Sequence, residues 1–201
     1  MIRYLTAAMS HWRIALSALI LAWSAVCVDA RASTELTIIT GNGSVSFVAE
    51  DNWPVLSMQT KLPVAAISFQ LPNPADIDTP HSTSIALTLY DLKSEQGQRA
   101  FGAFPPPAGT MSKTVMKWGG WTVTRQRGAD EGAEYTILDA KNPAVGEVAA
   151  SARLAWPHLK ANAPMYDQHI ELRFRQFLES VKGKIGPHVR QDGEVIRRAT
   201  Q

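Results

Sequence analysis

The chain has 201 residues, 20 of them basic and 18 acidic, and a single cysteine. Setting aside the first 32 removes Arg3, Arg13, Arg31 and Asp29, which leaves 169 residues with 17 basic and 17 acidic side chains. A neutral, well-mixed remainder excludes nucleic acid as a main partner and steady attachment to an anionic membrane, because both require a concentrated positive field.

Residues 1–32 read as a secretory signal peptide. Arg3, His11 and Arg13 give a basic start, Ile14 to Val28 is almost wholly apolar, and Ala30-Arg31-Ala32 is a small-x-small cleavage signature. The apolar run is about 15 residues, short of the ~20 needed to span a bilayer. The expected mature chain starts at Ser33 and is periplasmic or secreted. Cys27 leaves with the signal, so the mature chain has no disulfide, thiolate ligand or cysteine nucleophile. A lipoprotein anchored at Cys27 is the rival reading, but Val26 is larger than the residue such recognition boxes place there. A retained anchor is the third, and no cluster of charges follows Val28 to stop transfer.

The next stretch reads as strand. Leu36, Ile38 and Ile39 precede the turn Gly41-Asn42-Gly43, and Val45, Phe47 and Ala49 alternate after it, which predicts a hairpin. Val55 to Thr60, Val64 to Leu71 and Ile85 to Leu89 are further strands, with a polar loop from Ala75 to Ser84 between the last two. Ser94 suits the N-cap of a short helix through Ala103. Pro105-Pro106-Pro107 is a stiff extended connector. Val115 to Trp118, Trp121 to Gln126 and Glu134 to Ala140 look like consecutive antiparallel strands, and Val145 to Trp156 a long final one.

From Met165 to Val181, Tyr166, Ile170, Phe174, Phe177, Leu178 and Val181 fall on one stripe of about 120° at the helical period. Gly183 suits a left-handed cap after this helix, and Glu171 with Arg175 has the favourable i,i+4 order. The expected organisation is a signal over 1–32, one domain over 33–183 and a mobile polar tail over 184–201. Antiparallel strands followed by one amphipathic helix predict an α+β fold, an antiparallel β-sheet packed by a C-terminal amphipathic helix. A β-sandwich with an appended helix is the alternative, and it leaves the helical stripe without an obvious place.

Val45-Ser46-Phe47 followed by Trp53, then Ala66-Ile67-Ser68-Phe69, Ser84-Ile85-Ala86-Leu87-Thr88-Leu89 and a terminal Phe174-Arg175-Gln176-Phe177-Leu178-Glu179-Ser180-Val181 stand in an order that resembles the PsbP-like group. That group is named for an extrinsic subunit of photosystem II. The resemblance spans most of residues 44–182 and implies an antiparallel sheet flanked by helices, export in bacteria, and accessory or binding roles without a shared catalytic motif. Ala155-Trp156-Pro157-His158 and the proline connector have no counterpart in it.

His81, His158, His169 and His188 include no pair at metal-ligand spacing. Asp167 and Glu171 share a helix face and read as solvated acids, with His169 turned about 200° away from both. Asp76, Asp78 and His81 crowd one loop with Thr79 and Ser82, offering oxygen donors of the kind a cation takes. Without an EF-hand pattern the plain reading is a turn rich in side-chain caps. No nucleophile elbow, zinc-protease motif or phosphate loop is present, and no cofactor is expected. Trp118 and Trp121 flank Gly119-Gly120, either as exposed anchors of a partner surface shared with Pro105, Pro106 and Pro107, or as core beneath the helix. The leading expectation is an exported, non-catalytic accessory or binding protein of the bacterial envelope with a protein partner. The alternative is a small envelope hydrolase or inhibitor-type protein acting through the Asp76–Ser82 loop.

Overall fold

Two hairpins and a long meander set the architecture, in a computed structural model that describes residues 32–72, 83–103, 110–130, 133–158, 163–186 and 192–200. Strand β1 (Ser33–Thr40) turns through Gly41-Asn42 into β2 (Gly43–Glu50). Gly41 takes a φ of 42°, which suits glycine and explains the tight two-residue turn. Strands β3 (Val55–Gln59), β4 (Val64–Gln70) and β5 (Ser84–Tyr90) follow, then helix α1 (Glu95–Gly102), whose N-cap Ser94 accepts from the Gly97 amide. Strands β6 (Thr110–Trp118), β7 (Trp121–Asp130), β8 (Ala133–Val145) and β9 (Val148–Pro157) form an antiparallel meander. Helix α2 (Ala163–Ser180) leads to two short strands, β10 (Lys182–Ile185) and β11 (Val195–Thr200).

The strands divide between two antiparallel sheets. Sheet A has the order β10-β2-β1-β11, and sheet B the order β3-β4-β5-β9-β8-β7-β6. This overturns the expected α+β fold of one sheet packed by a C-terminal helix. Among the described residues strand far outweighs helix, and the fold is β-rich and sandwich-like. The physical reason lies in β1 and β2. They bury Leu36, Ile38, Val45, Phe47 and Ala49 in the same apolar core as Ile67, Phe69, Leu87, Leu138 and Leu154 of sheet B, so they cover that sheet instead of extending it. The helical stripe also has a place, beside sheet A. Tyr166, Ile170, Phe174, Phe177 and Leu178 are all buried in this core.

Beyond 183, where a mobile tail is expected, residues 184–185 and 195–200 are paired strands. β10 pairs with β2 and β11 with β1, the latter from Ser33↔Thr200 to Ile38↔Val195. The turn before β11 is tied down as well, because Gly41 N donates to Asp192 Oδ1 at 3.1 Å and Ile39 N to Glu194 O at 3.0 Å. Backbone pairing holds β11, and so its polar sequence gave no periodic signal. Gly183 is likewise not a left-handed cap. It lies in β10 where the strand crosses the β8–β9 turn, and a Cβ there would meet Gly146 N at 2.1 Å.

That crossing generates a prediction. Gly183→Ala forces backbone against backbone where no side chain can yield, so stability falls by about 1–3 kcal/mol or more. Guanidinium unfolding measures it, and an unchanged midpoint would contradict this contact between the sheets.

Candidate functional site

Three groups of polar or aromatic side chains were candidates for function, and each is placed by a different part of the fold. The first sits on the inner face of sheet B under the start of α2. Trp156 on β9 donates from Nε1 to Asp167 Oδ1 at 2.7 Å, and His158 Nδ1 lies 3.5 Å from Asp167 Oδ2. The other ring nitrogen of His158, Nε2, is 2.6 Å from Thr136 Oγ1 on β8. The order hydroxyl, imidazole, carboxylate is that of a nucleophile, base and orienting acid. Thr136, however, is 0% exposed, so a substrate carbonyl has no route to its hydroxyl. This arrangement acts as a buried hydrogen-bonded tie between β8, β9 and α2. Asp167 is therefore not the solvated acid of the sequence reading. Its neighbour Glu171 pairs with Arg125 of β7 at 3.0 Å instead of with Arg175, which bonds Glu179.

Next to this tie, Tyr166 OH meets Thr83 Oγ1 at 2.7 Å, both groups buried. Leu71 N donates to Thr83 O at 2.9 Å, which brings together the two ends of the intervening loop. Asp76, Asp78 and His81 of that loop lie outside the described residues, as do Pro105, Pro106 and Pro107. Burial pushes the Tyr166 phenol above the ordinary tyrosine range. The Thr83 hydrogen bond and the Arg173 charge act the other way, and Asp167 adds to the rise.

The second group is on the outer face of sheet B. Asp139 is buried and accepts from Arg153 Nε at 2.6 Å, Arg153 Nη2 at 3.1 Å and Gln126 Nε2 at 3.0 Å. Its oxygens are thereby satisfied by neighbouring strands. A cavity of about 170 Å³ lies elsewhere, among Thr40, Asn42, Leu62, Asp91, Lys93 and Glu147. It is smaller than the roughly 300–1,000 Å³ of ordinary ligand pockets, and Lys93 faces Glu147 at its wall, 3.8 Å away.

The third group is the aromatic hairpin. Trp118 and Trp121 are directly opposed across the Gly119-Gly120 turn, and Gly119 takes a φ of 56°. Both indoles turn inward. Trp121 is 5% exposed and donates from Nε1 to Leu178 O at 3.2 Å, while Trp118 is partly buried and stands edge-on to Phe174 at 6.4 Å. Trp121 is thus core beneath the helix, the second of the two readings open in the sequence, and is not available as an exposed anchor of a partner surface. The apolar demand of Phe174 and Leu178 draws these rings inside.

What the hairpin leaves outside is the edge strand β6. Met111 is 62% and Val115 60% exposed, and Lys113 and Lys117 are exposed beside them. No strand among the described residues pairs with its outer side. The sequence reading missed this edge, although Lys-x-Val-x-Lys over 113–117, lysines around an apolar residue at strand period, was its signal. It also missed the tie of Thr136, His158 and Asp167, whose members lie far apart in sequence and form no motif.

No protein-family model matches the chain, and the search of curated proteins gave no match. No helix among the described residues is long and apolar enough to cross a membrane.

Tyr166 yields a pH prediction. The unfolded phenol ionises near pH 10, whereas the folded one holds its proton to higher pH. The native state then binds more protons above about pH 10, so this contribution is complete below that pH and is lost as pH rises further. Tyr166→Phe flattens the alkaline loss of stability, and it costs about 1–3 kcal/mol at neutral pH by leaving the buried Thr83 hydroxyl unpaired. Thermal unfolding at pH 7 and across pH 9–11 reads both effects; identical alkaline slopes would contradict the assignment.

Proposed function

We propose that the chain is an exported, non-catalytic accessory or binding protein of the bacterial envelope, and that it engages a protein partner along the β6 edge. The observation that carries the reading is the contrast between inside and outside. The buried polar groups of sheet B are engaged with one another, while a nine-residue edge strand presents Met111, Val115, Lys113 and Lys117 to solvent.

An open strand edge takes up an extended segment through main-chain hydrogen bonds, and alternating side chains select which one. Here Lys113, Val115 and Lys117 lie on one face, so the fitting segment alternates acidic residues about an apolar one. Export is supported by the leader-like residues 1–32 and by a compact unit that spans Ala32–Gln201, beside the expected cut. Ser33, the expected first residue, opens β1, so processing there leaves that strand whole. The Asp76–Ser82 loop, on which the hydrolase or inhibitor alternative rests, lies outside the described residues.

A C-terminally tagged protein isolated under native conditions tests this. The expected outcome is one stoichiometric protein companion and a polypeptide whose mass starts at Ser33. Lys113→Glu together with Lys117→Glu weakens that companion's binding by about tenfold or more. A companion held equally by the double variant removes β6 as the surface, and recovery of none removes the binding role.

A further inference from the structure

Among the described residues the two antiparallel sheets have four edges, and one of them differs from the rest. β6 carries Lys113 and Lys117, β10 carries Lys182 and Lys184, and β11 carries Arg197 and Arg198. Paired with itself in the antiparallel sense about Val115 for β6, Gly183 for β10 or the midpoint of Arg197 and Arg198 for β11, each of these strands opposes like charges. Lys113 would face Lys117 of the other copy, Lys182 would face Lys184, and Arg197 would face Arg198. Like charges directly opposite across a strand pair are destabilising, and basic residues are a common guard on exposed edges.

β3 is the exception. Its sequence, Val55-Leu56-Ser57-Met58-Gln59, has no charge, and all five residues are exposed. Val55 is 43%, Leu56 51% and Met58 50% exposed, which is unusual for apolar side chains grouped on one strand. We infer that β3 is a self-association edge, through which two copies of the chain pair antiparallel about a two-fold axis and join their seven-stranded sheets.

The occupant follows from self-complementarity. An isologous contact needs a surface that matches itself, and no register of residues 55–59 brings like charges together. Centred on Ser57, the pairing sets Leu56 against Met58 of the second copy in both halves. Ser57 then faces its own counterpart, next to the Ser57–Ser68 hydroxyl contact of 2.7 Å already present in each copy. A bulge between Val55 and Ser57 bends the start of the strand and keeps the paired stretch short. The contact is consequently small and the dimer weak, forming and dissociating with concentration. This inference uses a different edge from the proposed partner surface and does not depend on it.

Sedimentation velocity on the protein as the cell produces it, across about two decades of concentration, tests the inference. The expected result is a monomer–dimer equilibrium that disappears in Leu56→Lys with Met58→Lys and persists in Val115→Lys, a matched change on the β6 edge. Should the double variant fail to fold, Met58→Lys alone serves, with a dissociation constant raised about tenfold or more. A wild-type protein that stays monomeric throughout overturns the inference. So does a dimer that survives the β3 changes, or one that is lost in Val115→Lys.

Discussion

Four aromatic rings hold the layers of this protein together. Phe47 from sheet A lies 6.2 Å from Phe69 of sheet B and 5.7 Å from Phe177 of α2, and Trp53 closes the circuit at 6.1 Å from both Phe69 and Phe177. Each tilted or edge-on pair contributes about 0.5–1.5 kcal/mol beyond the area it buries. The indole N–H of Trp53 has no acceptor among the described residues, a cost of about 1–3 kcal/mol that these contacts offset. Arg173 lies over the same indole at 5.3 Å and is pinned by Glu50, its Nε 2.8 Å from Oε1. Because the circuit takes one ring from each sheet and one from the helix, it fixes all three with respect to one another.

The position of α2 then decides what the rest of the chain can do. With Phe177 fixed, Phe174 and Leu178 reach Trp118 and Trp121, and Asp167 reaches Trp156 and His158. Residues that looked like chemistry or recognition in the sequence are thereby taken into the interior as packing and hydrogen-bonded ties. In the proposed function, recognition passes to the strand edges. The charges there separate two roles: lysines on β6 that repel a second copy and suit an acidic partner, and an uncharged β3 that suits a second copy.

Local features were legible in the sequence because their causes are local. Glycine at the β1–β2 and β6–β7 turns, the Ser94 cap and the helical stripe of α2 each follow from a few neighbouring residues. The division into two sheets was not legible, because period-two alternation says that a strand has a buried face but not which strands it joins. The pairing of β1 with β11 links residues more than 150 positions apart. Gly183 misled for a related reason. Its need for glycine comes from Gly146 across the interface, not from the end of its own helix. The inward turn of Trp121 stood in the sequence only as one of two readings, since a tryptophan beside a tight turn is compatible with either side until the helix above it is placed. Of the candidate site residues, Asp76, Asp78, His81 and Pro105 to Pro107 lie outside the described residues.

The roles proposed for the edges stand on the claim that charge closes three of them to a second copy and leaves β3 open to one. Amide hydrogen exchange across the four edge strands, followed at low and high protein concentration, tests this most directly. The account predicts that amides of residues 55–59 slow as concentration rises while those of β6, β10 and β11 do not change. Rates at β3 that are independent of concentration, or protection that grows at one of the basic edges instead, would contradict it.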